Sequence, residues 1–492
     1  MLANIVAKIR GLLYKMGLIK GVRQVTQHRD IAAEDDFYQH IDHWFALYRG
    51  HWEGWHKIRY HTVAGERTRW MKSLKMPKVI SEEIARLIFN EKCEINVSDE
   101  ALDENLHQVF KRNRFYKQFQ RYLEYGFALG GMAVKAYGDQ QGNTRLGYAT
   151  ADCFIPVSYS GEEIKEAVFI DQNRRGKYYY TLLEWHTWED ELYVVSNELY
   201  RSERRGELGV KRNLAEYYPD LEERVEISGL SRPLFVYFKP NIANNIDTNS
   251  PLGISIFANA LDTIYSIDVA FDSFMREFKL GKKRIIVPAQ AVKTVVDQDG
   301  NFQRYFDAND EVYQAFQFEQ DATTNDIKDV TVEIRVDEHV RAIQALLDLL
   351  AMQVGFSAGH FSFEGAEGVK TATEVVSENS KTYRTKHSHE TNVEEGLREL
   401  ITTITEVAAL YGEFSPPTAE WEINVNFDDS FAEDRTSTAE YYLKLKNSKL
   451  ISKKTALMRI EKYTEEEADA ELAQIREESQ TAAPDVDDMF AE

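Results

Sequence analysis

The chain has 492 residues, and typical domain sizes predict about three packing units for this length. Apolar residues make up 43% and aromatic residues 12% of the sequence, which excludes an intrinsically disordered chain. The formal net charge of −22 argues against a protein that wraps and grips nucleic acid, because tight phosphate binding needs clustered Lys and Arg. A protein that lets nucleic acid slide past is compatible with that charge.

The two ends of the chain differ in charge. Residues 1–30 hold six Lys or Arg and one Asp, whereas residues 461–492 hold two Lys or Arg and twelve acidic residues. The early basic residues interrupt any signal-peptide core and leave a basic amphipathic helix, for which packing or partner binding is favoured over a membrane surface. No later window reaches the roughly 18 uncharged apolar residues of a membrane span. The small number of cysteines, Cys93 and Cys153, indicates a reducing compartment.

Aromatic residues are dense between residues 35 and 60. Trp52 and Trp55 lie beside His51 and His56 in the sequence. This arrangement suits either a ligand platform or the packing of a helix and a turn, and we favour packing.

Helix and strand patterns follow through the first half of the chain. Ser81 is a suitable helix N-cap, and Glu82 suits the first turn after it. The apolar periodicity predicts a helix over residues 115–129 and a strand over residues 132–137. Residues 145–245 alternate polar and apolar side chains between turn-rich loops, which is typical of antiparallel sheet. The sequence therefore predicts an α+β fold class.

The most informative segment is a long helix with one apolar seam, which follows turn residues at Asn249 to Gly253. The seam positions are spaced 4, 3, 4, 3 and 4 residues apart, a heptad-like pattern that suits packing against another helix. A second helix, for which Asp337 is a suitable N-cap, repeats the pattern. The predicted seam residues are Ala260, Ile264, Ile267, Phe271, Phe274 and Phe278 in the first helix, and Val340, Ile343, Leu347 and Leu350 in the second.

The segment between these helices, residues 283–336, is a small β-rich insert. It contains a polar turn at Asp297, Asp299 and Asn301, and the period-two pattern of residues 330–336 predicts a strand. An insert of this size is too small for a generous core and would gain stability from identical neighbours.

A glycine-rich loop follows the second helix. It runs from Gly359 to Gly368 with Phe361 and Phe363 near its middle, and this composition predicts a mobile loop. The sequence Thr371 to Glu374 then forms a capping box that predicts the start of another helix.

That helix is expected to reach residue 411 and to have two different halves. Residues 377–392 are largely polar and are expected to face water or a polar lumen, whereas residues 393–411 carry an apolar seam. A kink is expected near residues 392–396, since Gly disfavours a helix interior. Residues 421–427 alternate as a strand that can only return to an earlier sheet.

The C-terminal part is predicted to be helical. Ser452 is a suitable cap for one of its helices. Beyond residue 479 the chain consists mainly of small and acidic residues, which predicts disorder.

Signatures of nucleotide or hydrolytic chemistry do not occur in the sequence. There is no Gly-x-x-x-x-Gly-Lys-Ser/Thr loop and no Gly-x-Ser-x-Gly elbow. His387 and His389 are two apart on a predicted helix and so point in nearly opposite directions. Asp297 and Asp299 lack the Glu that completes a calcium loop. We therefore expect no cofactor and no metal site.

Four stretches, in this order along the chain, carry a resemblance to a known family: Ile80 to Glu91, Leu129 to Tyr137, Leu252 to Ala260 and Thr371 to Val376. Together with the order of helix, β insert and helix, they resemble the portal protein of tailed bacteriophages, most closely that of siphophages of Gram-positive hosts. The resemblance covers residues 35–475 and rests on the order of four weak motifs.

The resemblance implies a portal-like fold with a division of the chain into functional parts. These parts are a basic N-terminal arm (1–34), a wing of helices and antiparallel sheet (35–254), a first stem helix (255–282), a clip (283–336), a second stem helix (337–357), a tunnel loop (358–370), a long wing helix with a returning strand (371–430), a helical crown (431–478) and a disordered acidic tail (479–492).

The resemblance also implies a function without catalysis. The chain would form a ring, a dodecamer in the assembled family, at one vertex of the capsid, and double-stranded DNA would pass through it without sequence specificity. The terminase large subunit would dock at the clip and package the genome, and head-completion or adaptor proteins would replace it there. Scaffolding and major capsid proteins are further implied partners. The protein would be assembled in the host bacterial cytoplasm and remain in the virion.

Residues are assigned to these roles by the same resemblance. The tunnel-loop candidates are Gly359, His360, Phe361, Phe363 and Gly365, and the basic candidates for weak contact with DNA are Lys282, Lys283, Arg284, Lys370, Lys381, Arg384 and Lys386. The clip docking candidates are Asp297, Asp299 and Asn301. Asp262, Asp268 and Asp272 are expected off the apolar seam, toward solvent or the channel.

Two alternatives from other classes stay open at this point. The first is a minor head or capsid-assembly protein that forms no ring. The second is an acidic hydrolase that uses the Trp-rich region near Trp52 as a substrate platform, with His51 or His56 in its chemistry.

Overall fold

The computed structural model describes residues 35–62, 65–281, 285–286, 293–296, 302–305, 328–329, 333–362, 379–427, 435–461, 463 and 468–475. Helices and antiparallel sheets mix along this part of the chain, so the predicted α+β fold class is confirmed. None of the helices described is long and apolar enough to cross a membrane.

The first part of the body is helical, apart from one hairpin and one short strand. Its elements are α1 (Asp35–Tyr48), α2 (Glu53–His56), β1 (Lys57–Thr62), β2 (Gly65–Trp70), α3 (Met76–Ile88), β3 (Glu94–Val97), α4 (Glu100–Asn113) and α5 (Phe115–Leu129). Each longer helix turns an apolar face to one shared core, in which Trp44, Ile84 and Phe119 are almost fully buried. Aromatic rings contribute strongly to this core, because each of them removes a large area from water.

The start of α3 differs from the prediction. Ser81 is not an N-cap but lies inside the helix, where its hydroxyl donates to the carbonyl of Pro77 at 2.8 Å. The helix begins earlier because Pro77 occupies its first turn, where a missing N–H leaves no hydrogen bond unmade.

Antiparallel sheets form the second part of the body, as predicted for residues 145–245. Their strands are β4 (Met132–Gly138), β5 (Thr144–Thr150), β6 (Phe154–Ser160), β7 (Glu163–Arg175), β8 (Tyr178–Glu189), β9 (Leu192–Ser202), β10 (Val210–Arg212), β11 (Arg224–Ile227) and β12 (Phe235–Phe238). Within the described residues, one sheet has the order β10-β9-β8-β7-β6 with β11 beside β9, and another has the order β12-β4-β5.

A close backbone contact joins α5 to the segment that leads into the stem. Gly130 ends α5 with a φ of +88°, and a Cβ atom there would collide with the carbonyl of Gly253. The amide of Ile256 donates to the carbonyl of Phe127 at 2.9 Å. The chain therefore enters the next helix at a position fixed by the body.

Two long helices follow, α6 (Leu261–Leu280) and α7 (Val336–Gln353), with short strands between them. The strands are β13 (Ile285–Ile286), β14 (Lys293–Val296), β15 (Phe302–Tyr305) and β16 (Lys328–Asp329), paired as β13 with β16 and β14 with β15. The strand predicted at 330–336 is wrong over residues 333–336, which are the part that the structure describes. Residues 333–335 are irregular, and Val336 already belongs to α7. Asp337 lies in the first turn, and Arg335 takes the N-cap position.

The third long helix is α8 (Ser380–Tyr411), which is continuous through residues 392–396. Packing explains why a glycine occupies this helix interior, because a Cβ atom at Gly396 would lie 2.5 Å from the ring of Phe238. The strand predicted for residues 421–427 is found as β17 (Ile423–Asn426), which pairs with β3.

Helices end the described chain. They are α9 (Arg435–Asn447), α10 (Lys453–Glu461) and a last helix at 468–475. The predicted cap at Ser452 is present, since its hydroxyl accepts the amide of Thr455 at 3.0 Å. The capping box at 371–374, the N-terminal arm at 1–34 and the tail at 479–492 lie outside the described residues.

Replacing Gly396 by Ala tests the packing of α8 on the sheet. Ala favours a helix over Gly by about 1 kcal/mol, yet we expect Gly396→Ala to lower the free energy of unfolding by about 1 to 3 kcal/mol, because its methyl group would overlap Phe238. Denaturant unfolding followed by circular dichroism measures the change.

Gly126→Ala in α5 is the matched control. The added methyl group there meets the flexible side chain of Met132 at 3.3 Å, so the loss should be smaller. A Gly396→Ala protein as stable as wild type would contradict the close contact.

Candidate functional site

The stem candidate is the antiparallel pair of helices α6 and α7. The structure buries Ala260, Ile264, Ile267, Ile343, Leu347 and Leu350, partly buries Phe271, Phe274 and Val340, and leaves Phe278 44% exposed. The pair is therefore packed most tightly at the end near the body, and the seam residues become more exposed toward the C-terminal end of α6.

A charged contact holds the far end of this pair. The carboxylate of Glu277 in α6 accepts hydrogen bonds from the guanidinium of Arg335 at 2.9 Å, and its Oε2 lies 2.7 Å from the His339 ring nitrogen Nε2. The hydrogen bonds from Arg335 and His339 lower the pKa of Glu277 to about 2. Both partners lie at the start of α7, so Glu277 fixes the point where the chain re-enters the stem.

Two acidic residues of α6 are buried, contrary to the expectation that they face solvent or a channel. Asp268 is 2% exposed and Asp272 is 5% exposed, whereas Asp262 is exposed as expected. The expectation was wrong because the segment after β2 covers this face of α6 and supplies polar partners, which a buried carboxylate requires.

The partners of these carboxylates come from the hairpin and from the turn after it. Arg69 donates to both oxygens of Asp272 at 2.8 and 2.7 Å, and the amide of Lys72 adds a third bond at 3.1 Å. Burial raises the pKa of Asp272, but the hydrogen bonds from Arg69 and Lys72 outweigh it, so the pKa lies below its usual value. Asp268 accepts the amide of Leu74 at 3.1 Å.

His56 completes this buried cluster. Its Nε2 lies 3.5 Å from a carboxylate oxygen of Asp268, and both side chains are buried. The sequence favoured packing of a helix and a turn around His56 and did not reveal this contact. The available signal was a pair of Asp residues one turn apart, each directly following a residue of the apolar seam. His51, in contrast, is exposed and stacks on Trp70 with a centroid distance of 4.1 Å.

Both helices of the pair α6 and α7 also expose apolar side chains. On α7, the side opposite the buried seam carries an apolar stripe with the spacing 3, 4 and 3, made of Ala342, Ala345, Leu349 and Met352, which we call the α7 stripe. Leu349 is 40% exposed and Met352 is 49% exposed. On α6, Tyr265 and Val269 form a separate exposed pair one turn apart, which we call the α6 flank.

The first residues of the tunnel-loop candidate contact the body. The amide of Gly359 donates to Asp348 of α7 at 3.0 Å, and the Phe361 ring packs on the buried ring of Phe356 with a centroid distance of 5.2 Å. His360 lies 3.4 Å from Glu83 of α3, and this hydrogen bond lowers the pKa of Glu83. The loop therefore starts from a docked base, while Phe363, Gly365 and Lys370 lie outside the described residues.

This base is also tied to α8. Ser357 donates its amide to the hydroxyl of Thr382 at 2.9 Å, and Lys381 donates to the carbonyl of Met352 at 2.6 Å. Arg384 is exposed, with a long contact of 3.4 Å to the carbonyl of Ser380.

The polar half of α8 is buried at several positions, which corrects the expectation that it faces water or a polar lumen. Lys386 is 2% exposed and lies 2.6 Å from Glu390, which is itself buried. The two charges lie one helical turn apart and neutralise each other, and this permits their burial. Lys386 is therefore not a surface cation in this chain.

His389 lies on the same buried face. Its Nδ1 accepts the amide of Asn241 at 3.0 Å, and its ring meets the edge of Phe127. Burial lowers the pKa of His389 to about 4, so the ring is neutral near pH 7. The folded state then binds this proton less readily than the unfolded chain, and stability falls as the pH drops from 6.5 toward 4. His387 points elsewhere and bonds to Glu390 at 2.8 Å.

The proposed docking turn at Asp297, Asp299 and Asn301 lies outside the described residues, as do Lys282, Lys283 and Arg284. Within the part of the chain that the structure describes, no group of three or more His, Cys, Asp or Glu side chains could hold a metal ion.

The Glu277 contact gives a pH-dependent prediction. Because its folded pKa is lowered, its contribution to stability is present above the usual value of 4.5 and is lost as the pH falls toward about 2. We expect Glu277→Gln to lower the melting temperature at pH 7, with a difference from wild type that shrinks below pH 4.5.

Glu104→Gln, at an exposed position of α4, is the control and should leave the melting temperature unchanged at every pH. A difference for Glu277→Gln that grows on acidification would show that Arg335 and His339 do not stabilise the carboxylate.

Comparison with known proteins places these features in a family. A family model described as phage portal protein, SPP1 Gp6-like, matches residues 27–485. No curated protein matches the chain significantly. Since the family match spans the body, the stem, the insert and the C-terminal helices, the chain belongs to the phage portal protein family.

Proposed function

We propose that this portal protein forms a closed ring of identical subunits whose central channel conducts double-stranded DNA at one capsid vertex. The terminase drives the genome in through this channel, and DNA later leaves the same way. Membership of the portal family makes the chain a phage structural protein. The ring, the channel and the docking of terminase are our proposals for this chain.

The observation that carries the proposal is the pair of unlike apolar surfaces on the stem. The α7 stripe and the α6 flank lie on different helices and differ in shape and composition, so a contact between them joins two unlike surfaces. Such a contact, between the stripe of one copy and the flank of the next, repeats head to tail and generates a ring when the rotation closes. Isolated exposed apolar residues need no explanation, but an ordered stripe on a helix indicates a partner.

The charge of the chain suits a conduit. Each subunit carries −22, and a ring multiplies this charge around its channel. Each retained phosphate contact would have to be broken during translocation, so a repulsive wall favours passage. Burial of Lys386 supports this, since it removes one basic side chain from the candidates for contact with DNA. Exposed Arg384 and the partly engaged Lys381 remain as weak contacts.

The parts of the chain take the following roles in this proposal. Residues 35–254 form the wing, α6 and α7 form the stem, residues 283–336 form the clip that receives terminase and later the adaptor proteins, and residues 431–478 form the crown. Scaffolding and major capsid proteins contact the ring from outside, and assembly takes place in the host cytoplasm. A siphophage of a Gram-positive host stays a prediction.

Disrupting the α7 stripe tests the ring. Leu349→Glu combined with Met352→Glu places two charges on the exposed face, so we expect monomers in native mass spectrometry where wild type gives rings. Circular dichroism should stay unchanged, because neither side chain belongs to the buried seam.

Val210→Glu is the control, since Val210 is 70% exposed in the wing and should not affect assembly. Wild-type protein that stays monomeric at all concentrations would favour a minor head protein over a portal ring. Robust nucleotide or glycan hydrolysis, lost on changing His51 or His56, would instead favour the enzyme alternative.

The tunnel loop has a separate test. Deleting residues 363–368 keeps the docked base at 357–362, so we expect normal rings in electron micrographs and a strong loss of packaged or retained DNA. The measurement is the amount of DNA protected from nuclease in assembled particles. Rings that fail to form would mean that the loop is structural, and normal packaging would remove it from the DNA path.

A further inference from the structure

The hairpin of β1 and β2 extends away from the body. Residues 59–62 and 65–68 are all exposed, and Tyr60 is 41% exposed. A two-stranded ribbon has little stability of its own in water and needs a surface to pack on. The outer half of this hairpin has no such surface within the described part of the chain.

The base of the hairpin is rigidly held. Arg69 in β2 pairs with buried Asp272 of α6, and the preceding helix contacts the same region, since Trp55 packs edge-on against Tyr265 at 5.1 Å. The hairpin therefore leaves the body directly beside the α6 flank.

One face of the hairpin repeats the same chemistry from base to tip. Ile58 is opposite Arg69 in the strand register, and two residues further out Tyr60 is opposite Arg67. Directly opposed residues share a face, and so do residues two apart along a strand. The inner pair packs toward α6, where Arg69 meets an acidic side chain. The outer pair has the same apolar and cationic character but extends past the end of that contact.

The cations of the outer half lack acidic partners. Arg59 and Arg67 are exposed, and neither forms an ion pair with a described carboxylate. Residues 57–70 hold four Lys or Arg and one Glu, a net charge of +3 in a chain of net charge −22. A second copy of this chain is therefore an electrostatically favourable partner.

The position of the hairpin indicates which surface of the next subunit it would contact. A helix seated on the α6 flank runs beside the hairpin base, and in the proposed ring that helix is α7 of the next copy. Its α7 stripe is continued toward the N-terminus by exposed Glu338, four residues before Ala342. A carboxylate at the end of an apolar stripe complements Arg67 and Tyr60.

We propose that the β1–β2 hairpin binds α7 of the adjacent subunit, with Tyr60 on its apolar stripe and Arg67, on the same face of the hairpin, toward Glu338. This inference rests on the proposed ring but goes beyond it, because a ring can form through the stem helices alone. The hairpin then acts as an arm whose base belongs to one subunit and whose outer half is completed by the next.

Photo-cross-linking of the full chain tests the contact. With p-benzoylphenylalanine in place of Tyr60, irradiation of purified rings should give dimers whose cross-linked peptides map to residues 336–353 of the other subunit. The same probe at Tyr159, which is 37% exposed in β6, is the control and should give no cross-link to that helix. Rings in which the Tyr60 probe reacts only within its own subunit, or with another surface, would overturn the inference.

Charge reversal provides an independent test. Arg67→Glu should shift the ring-to-monomer midpoint in native mass spectrometry to higher protein concentration, and Glu338→Arg in the same chain should reverse the shift. Lys117→Glu, an exposed position on α5, is the matched control and should leave the midpoint unchanged. Circular dichroism verifies that each variant is folded.

The outcomes separate this inference from the ring itself. Wild-type rings with unaltered assembly of the Arg67→Glu variant would reject the arm and leave the ring in place. A wild-type chain that forms no ring would reject both. A weakened variant that Glu338→Arg does not rescue would reject Glu338 as the partner.

Discussion

The pair of helices α6 and α7, the proposed stem, depends on two buried carboxylates of α6. Asp268 and Asp272 lie one turn apart on α6, and their hydrogen bonds come from a segment of the body about two hundred residues earlier. A carboxylate that lost these partners would stay buried and uncompensated, which costs several kcal/mol. The helix therefore cannot rotate or slide without breaking the contacts, so the body fixes both the direction of α6 and the face that it leaves exposed. The position of α7, which packs along α6, follows from that orientation.

A continuous set of contacts extends from this anchor to the proposed tunnel loop. Glu277 holds the start of α7, and Asp348 near the end of α7 holds the first amide of the loop at Gly359. The hydroxyl of Thr382 then links the loop base to α8. These links join α6, α7, the loop base and α8 into one connected unit. In the proposed ring, a force on the loop would reach the body through this unit rather than through a flexible linker.

The sequence predicts the local features well and the long-range polar contacts poorly. Heptad spacing identifies the seams of α6 and α7, and alternation identifies the sheet, because both patterns depend on neighbours a few residues away. The burial of Asp272 depends on Arg69, and the burial of His389 depends on the amide of Asn241, partners that no local pattern reveals. The prediction for Ser81 fails for a local reason, because a good cap residue also fits a helix interior when its hydroxyl bonds to the preceding turn. Site residues in the insert and in most of the loop lie outside the described residues, so their roles stay predictions.

The distribution of charge separates two uses of basic residues in this chain. Lys386 is buried against Glu390, and Lys381 donates to a backbone carbonyl, so both stabilise the fold around α8. Few cations on this helix are then available to hold a phosphate, which suits a channel through which DNA must keep moving. The hairpin differs, because Arg59 and Arg67 are exposed and lack acidic partners in the described chain. Cations that served to bind DNA would slow its passage, whereas cations that bind a neighbouring acidic subunit strengthen the ring at no cost to translocation. In the proposed ring, the same net charge that would repel DNA also makes each subunit a suitable partner for the hairpin of the next.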